Sequence, residues 1–103
     1  MAFGFPAYHT ERYSRANPIP DIRNAVRETL GALSWSLRDE THDRIIASTG
    51  TGMRSWGERV FIDFLPDNAI SVTSRCRAPT QCVDWGKNRA NIRQFMAELE
   101  KHT

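Results

Sequence analysis

The 103-residue chain has 40% hydrophobic residues, 10% aromatics and a formal charge of +2, which argues against a disordered chain and bounds it to one domain spanning 1–103. A charge so near balance does not point to general nucleic-acid binding. No run approaches the roughly 20 apolar residues that a membrane helix needs.

Taken in chain order, Met1-Ala2-Phe3-Gly4-Phe5-Pro6 has no basic flank and no long apolar stretch. It does not read as a secretory signal, so a cytoplasmic location is expected. Residues Tyr8 to Ala16, with Tyr8, His9, Thr10 and Tyr13, suit a short strand at a sheet edge. Asn17-Pro18-Ile19-Pro20 breaks the chain, and Pro20 at the first helical position with Asp21 behind it signals a helix start. Ile22, Val26, Leu30 and Leu33 then repeat at helical spacing, supported by Ala25 and Thr29, with Arg23, Asn24, Arg27 and Glu28 on the solvated side. Gly31 weakens a helix, so the helix either ends there or packs closely on a sheet.

Trp35-Ser36-Leu37-Arg38 alternates as a half-buried strand, Asp39 to Asp43 forms a polar turn, and Arg44 to Thr49 returns as the partner strand. Gly50 to Gly57 is a glycine-punctuated loop. Val60, Ile62 and Phe64 alternate with Arg59, Phe61 and Asp63. Pro66-Asp67-Asn68 turns the chain into Ile70, Val72 and Ser74, which alternate with Ser71, Thr73 and Arg75. In the last helix Trp85, Ile92, Phe95, Met96 and Leu99 form an apolar stripe, Asp84 can cap the first turn, and Arg89, Arg93, Glu98 and Lys101 face water. The expected fold is α+β, in the order β-α-β-β-β-β-α. It is a two-layer sandwich in which both helices cover one face of an antiparallel sheet.

The stretch from Glu58 to Arg75, followed by Asp84-Trp85-Gly86-Lys87-Asn88-Arg89 and a helix, resembles the bacterial family called domain of unknown function 1499. There a hairpin rich in Val, Ser and Arg runs into a helix start of the type Asp-x-Gly-x-Asn-x-x-Arg. Asp84, Gly86 and Asn88 match that pattern, with Arg89 the nearest arginine. The Cys76-x5-Cys82 connection, with Pro79 inside it, departs from the shorter polar link expected there. The resemblance implies no activity, because that family has no established reaction.

Two cysteines without a second pair or nearby histidines make a poor zinc site. A disulfide closing the small loop around Pro79 is sterically possible, but in a cytoplasm it would be reduced, and both read as semi-buried thiols. His9, His42 and His102 read as surface groups, the pair Asp39 and Glu40 as a solvated cluster, and Gly50-Thr51-Gly52 lacks the Gly-Lys-Ser/Thr of a phosphate loop. No catalytic constellation, metal site or cofactor is expected.

The basic residues are twelve Arg against two Lys, which suits bidentate anion binding and equally a GC-rich coding genome. At the strand-to-helix junction Lys87, Asn88 and Arg89 would attract an anion to the helix start, or Asp84 would cap it for purely structural ends. Arg54 and Trp56 on the glycine-rich loop, with Trp85, would wall a pocket for a small anionic or aromatic ligand, or Trp56 would plug the end of the sandwich. Arg59, Arg75 and Arg77 extend the basic surface. Arg59 and Arg75 share the outer sheet face with Phe61, which would suit a nucleic-acid single strand or be an ordinary wet face.

The expected function is a non-catalytic module binding a small anionic ligand or a protein partner. The alternative is a homodimer formed through an exposed sheet edge.

Overall fold

The computed structural model describes residues 8–14, 21–49, 58–66, 69–76 and 87–103, apart from the side chains of Tyr8, His9, Cys76, Lys87 and Asn88. The elements are β1 (Tyr8–Tyr13), α1 (Ile22–Ala32), β2 (Ser36–Glu40), β3 (Arg44–Ser48), β4 (Glu58–Phe64), β5 (Ile70–Cys76) and α2 (Lys87–Glu100). Five strands form one antiparallel sheet in the order β1-β5-β4-β3-β2. The fold is α+β. The first strand closes beside the last, so β1 and β2 are the edges and β4 is the centre.

Side chains alternate across a strand, and here the alternation sorts one set into the core. Val60, Ile62, Ile70, Val72, Ile45 and Ala47 are fully buried on one face. The apolar stripes of the two helices lie on that face: Val26 and Leu30 from α1, and Ile92, Phe95 and Leu99 from α2. Each such side chain, once buried, contributes about 1.5–3 kcal/mol. Trp35 is also buried and stacks on Phe95, with ring centroids 6.0 Å apart and planes at 20°.

Several local expectations are corrected. Asp21 is the N-cap of α1, its carboxylate accepting from the Asn24 amide at 3.0 Å, so the first helical residue is Ile22 and not Pro20. Pro20 itself lies outside the described residues. Gly31 does not pack against the sheet, because a Cβ placed there would meet nothing within 4 Å. The helix ends just beyond it, and Ser34 turns the chain with a left-handed φ of 59°.

Strand β2 runs through Asp39 and Glu40, two residues placed in a turn by their polarity, and Trp35 precedes it. Its expected alternation is broken by an irregularity between Leu37 and Asp39, which leaves Leu37 51% exposed. Glu40 is not a free solvated charge. It accepts from Arg23 at 2.8 Å and from Arg27, and so clamps α1 to the edge of the sheet. Arg23 also lies over the Phe64 ring at 4.4 Å and donates to the carbonyls of Thr41 and His42.

Candidate functional site

The same alternation that buries Val60 and Ile62 turns Arg59, Phe61 and Asp63 away from the helices. Their register partners on β5 are Arg75, Thr73 and Ser71. On β3 the partners are Ser48, Ile46 and Arg44, and β1 brings Thr10 opposite Thr73 and Arg12 opposite Ser71. Among the described residues no helix lies over this face.

Arg59 and Arg75 are directly opposite one another, and both are exposed. Opposed side chains on adjacent strands stand about 4.5–5.5 Å apart at Cβ, and like charges in that position destabilise a sheet. Neither guanidinium has a carboxylate partner among the described residues. Arg44, by contrast, donates to Asp63 at 2.5 Å, a hydrogen bond that raises its pKa. The Arg44 guanidinium lies over the Phe61 ring, 5.4 Å from its centroid.

Arg44, Phe61, Asp63, Thr73 and Arg75 line an open, shallow depression of about 220 Å³. The hydroxyls of Thr10 and Thr73 meet across the strands at 2.8 Å at its margin. Among the described residues the arrangement offers two guanidiniums without a carboxylate partner, an aromatic ring and hydroxyls on one sheet face. It offers no general base beside a nucleophile.

Arg59 and Arg75 therefore stand together as the strand alternation predicts. Lys87, Asn88 and Arg89 belong to the first turns of α2, in the layer that covers the opposite face, and Arg89 is exposed. Arg54, Trp56, Arg77 and Trp85 lie outside the described residues, as do Asp84, Cys82 and the glycine-rich loop. The connections that carry them leave the sheet at Ser48, Glu58 and Cys76, the end where Arg59 and Arg75 stand.

Sequence reasoning missed a polar network at that end. Asn91, buried on α2, donates from Nδ2 to Glu58 Oε1 at 2.9 Å and to Ser74 Oγ at 3.3 Å. The Thr49 hydroxyl donates to the same Glu58 oxygen and accepts from the Glu58 amide, both at 3.0 Å. The polar Ser74 within an apolar register row was the available signal.

His102 is not a plain surface group either. It is half-buried, with Nδ1 3.1 Å from Glu28 and Nε2 3.0 Å from Glu98, joining the end of α2 to α1. Its hydrogen bond is the main cause of the lowered Glu98 pKa. Among the described residues no three His, Cys, Asp or Glu side chains gather to hold a metal ion, and no helix is long and apolar enough to cross a membrane.

No protein-family model matches the chain, and no curated protein matches it.

Proposed function

We propose that the chain is a non-catalytic binding domain whose recognition surface is the open face of the sheet, and that its ligand is anionic. The observation that carries this reading is the opposed pair Arg59 and Arg75, exposed and, among the described residues, without a carboxylate partner. A like-charge pair on adjacent strands costs stability in the empty protein, and one oxyanion between the two guanidiniums reverses that cost. The resemblance to domain of unknown function 1499 adds no reaction to this reading.

A titration of the ¹⁵N-labelled chain with inorganic phosphate, and separately with polyglutamate, tests it. The expected result is a saturable shift of the Arg59, Phe61, Thr73 and Arg75 amides, abolished in the R59A/R75A double variant with no loss of melting temperature. Shifts from neither anion at these amides would remove the proposal.

Self-association is a second reading, supported by a difference between the two edges. Strand β1 pairs along its six residues with β5 without a register shift, so its outer side is a regular template. Strand β2 is irregular and carries Arg38, Asp39 and Glu40, features that blunt an edge. Light scattering behind size exclusion decides it: a dimer that becomes monomeric on Glu11→Pro supports pairing through β1, and a monomer at all concentrations ends the idea.

A further inference from the structure

Resting on the anion-binding reading above, we propose that the ligand of the open face is single-stranded nucleic acid, with a phosphate held between Arg59 and Arg75 and a base stacked at Phe61. Three features favour this polymer over an acidic peptide, which would need only cations.

First, the arginine pair adjoins an apolar, planar surface. Phe61 sits at the centre of the sheet, two residues from Arg59 on the same face, with Ile46 opposite it on β3. Residues two apart in a strand are about 6.7 Å apart, so the cation and the ring are spaced to take a phosphate and the base attached to it. A chain of carboxylates has no flat apolar group to lay on Ile46 and on the Arg44–Phe61 pair. A nucleotide uses both.

Second, the cations are guanidiniums. Arg12, Arg44, Arg59 and Arg75 all occupy this face by register. A guanidinium binds phosphate bidentately and also stacks on flat rings. Arg44 already lies over Phe61, 5.4 Å from its centroid, and Asp63 holds it there by one hydrogen bond, so ring and guanidinium stand together for a base to rest on.

Third, the surface is open and extended, not enclosed. Arginines run from β1 to β3, which are three strand spacings apart in the sheet order, or about 14 Å. The depression at its centre is shallow, which suits a strand laid across it better than a small molecule buried in it. Binding by stacking and charge of this kind is tolerant of sequence.

The test uses the full chain and a fluorescent oligothymidylate of about eight nucleotides, within the length such surfaces cover. Inorganic phosphate and polyglutamate are the competitors. Anisotropy is expected to show saturable binding, weakened roughly tenfold by F61L, which keeps the apolar volume. The salt dependence should fall by about 0.7 in log–log slope for each of R59A and R75A. Melting temperatures of the three variants confirm that they are folded, and amide shifts at Phe61 and Thr73 in the unaltered chain locate the contact independently.

If polyglutamate or phosphate shifts the same amides while the oligonucleotide binds no tighter and is indifferent to F61L, the nucleic-acid proposal is overturned and the anion reading stands. If no anion shifts those amides, both fall.

Discussion

The two faces of this sheet are written by the same strands and obey different physics. On the helix face Val60, Ile62, Ile70 and Val72 are fully buried against Phe95, Ile92 and Leu99, and volume decides what is tolerated. On the other face their immediate neighbours Arg59, Phe61, Thr73 and Arg75 stand with no described element over them, and charge decides. Even the polar residues differ. Ser74 and Asn91 on the inner side are bonded to each other, whereas Arg59 and Arg75 oppose one another with no acid between them among the described residues. The inner face is thus built for stability. The outer face carries an opposed arginine pair whose like charges work against stability.

The contrast breaks most visibly at its two phenylalanines. Phe95→Ala should cost about 3–5 kcal/mol in urea denaturation, because it empties the centre of the core. Phe61→Leu should cost under about 1.5 kcal/mol. Equal losses would mean that the outer face is as tightly packed as the inner one.

Next in size, Asn91→Ala strips Glu58 and Ser74 of the amide they share, and a loss of about 1–3 kcal/mol is expected in the same assay. A smaller effect comes with the opposite sign. Arg59→Glu places an acid across from Arg75 and should stabilise the domain by about 0.2–1 kcal/mol while abolishing anion binding. A destabilised R59E protein would show that the arginine pair is structural.

The smallest effect is a slope in pH. Glu40 is held below its ordinary 4.5 by hydrogen bonds from Arg27 and Arg23, and Glu98 below the same value chiefly by one from His102. A carboxyl whose folded pKa is lowered contributes stability that is present above its unfolded value and is lost as pH falls through the folded one. Stability should therefore decline on acidification below about pH 4.5, and the E40Q/E98Q double variant should flatten that limb in melting curves recorded across pH. These two ties belong to the helix layer, so phosphate binding at neutral pH should be unaffected by the same pair.

Much of the inner face was readable without coordinates. Val60 and Ile62 alternate with Arg59 and Phe61, and Ile92, Phe95 and Leu99 recur at helical spacing, because one buried face imposes its own period on each element. The misplaced boundaries have a common cause. Pro20 was a plausible first helical residue, but Asp21 caps by accepting the Asn24 amide, a geometry composition does not reveal. Asp39 and Glu40 read as a turn because acids are poor strand formers. At an edge strand, arginines from α1 reverse that preference for Glu40.

Of the candidate site, the shared face of Arg59, Phe61 and Arg75 followed from alternation within single strands. Their neighbours Arg44 and Thr73 did not, since those meet Phe61 only once the register of three strands is set.

The sequence by itself determined the order of elements, the sides of β4, β5 and the two helices that face the core, and the face on which Arg59 and Arg75 would stand, because periodicity is a property of the local chain. Only the tertiary structure decided that β1 closes beside β5, that Arg59 falls opposite Arg75, and that Asp63 serves Arg44 and leaves the arginine pair alone. Those facts depend on register between distant segments, and register is set by how the whole hydrophobic face fits together, which no single segment encodes.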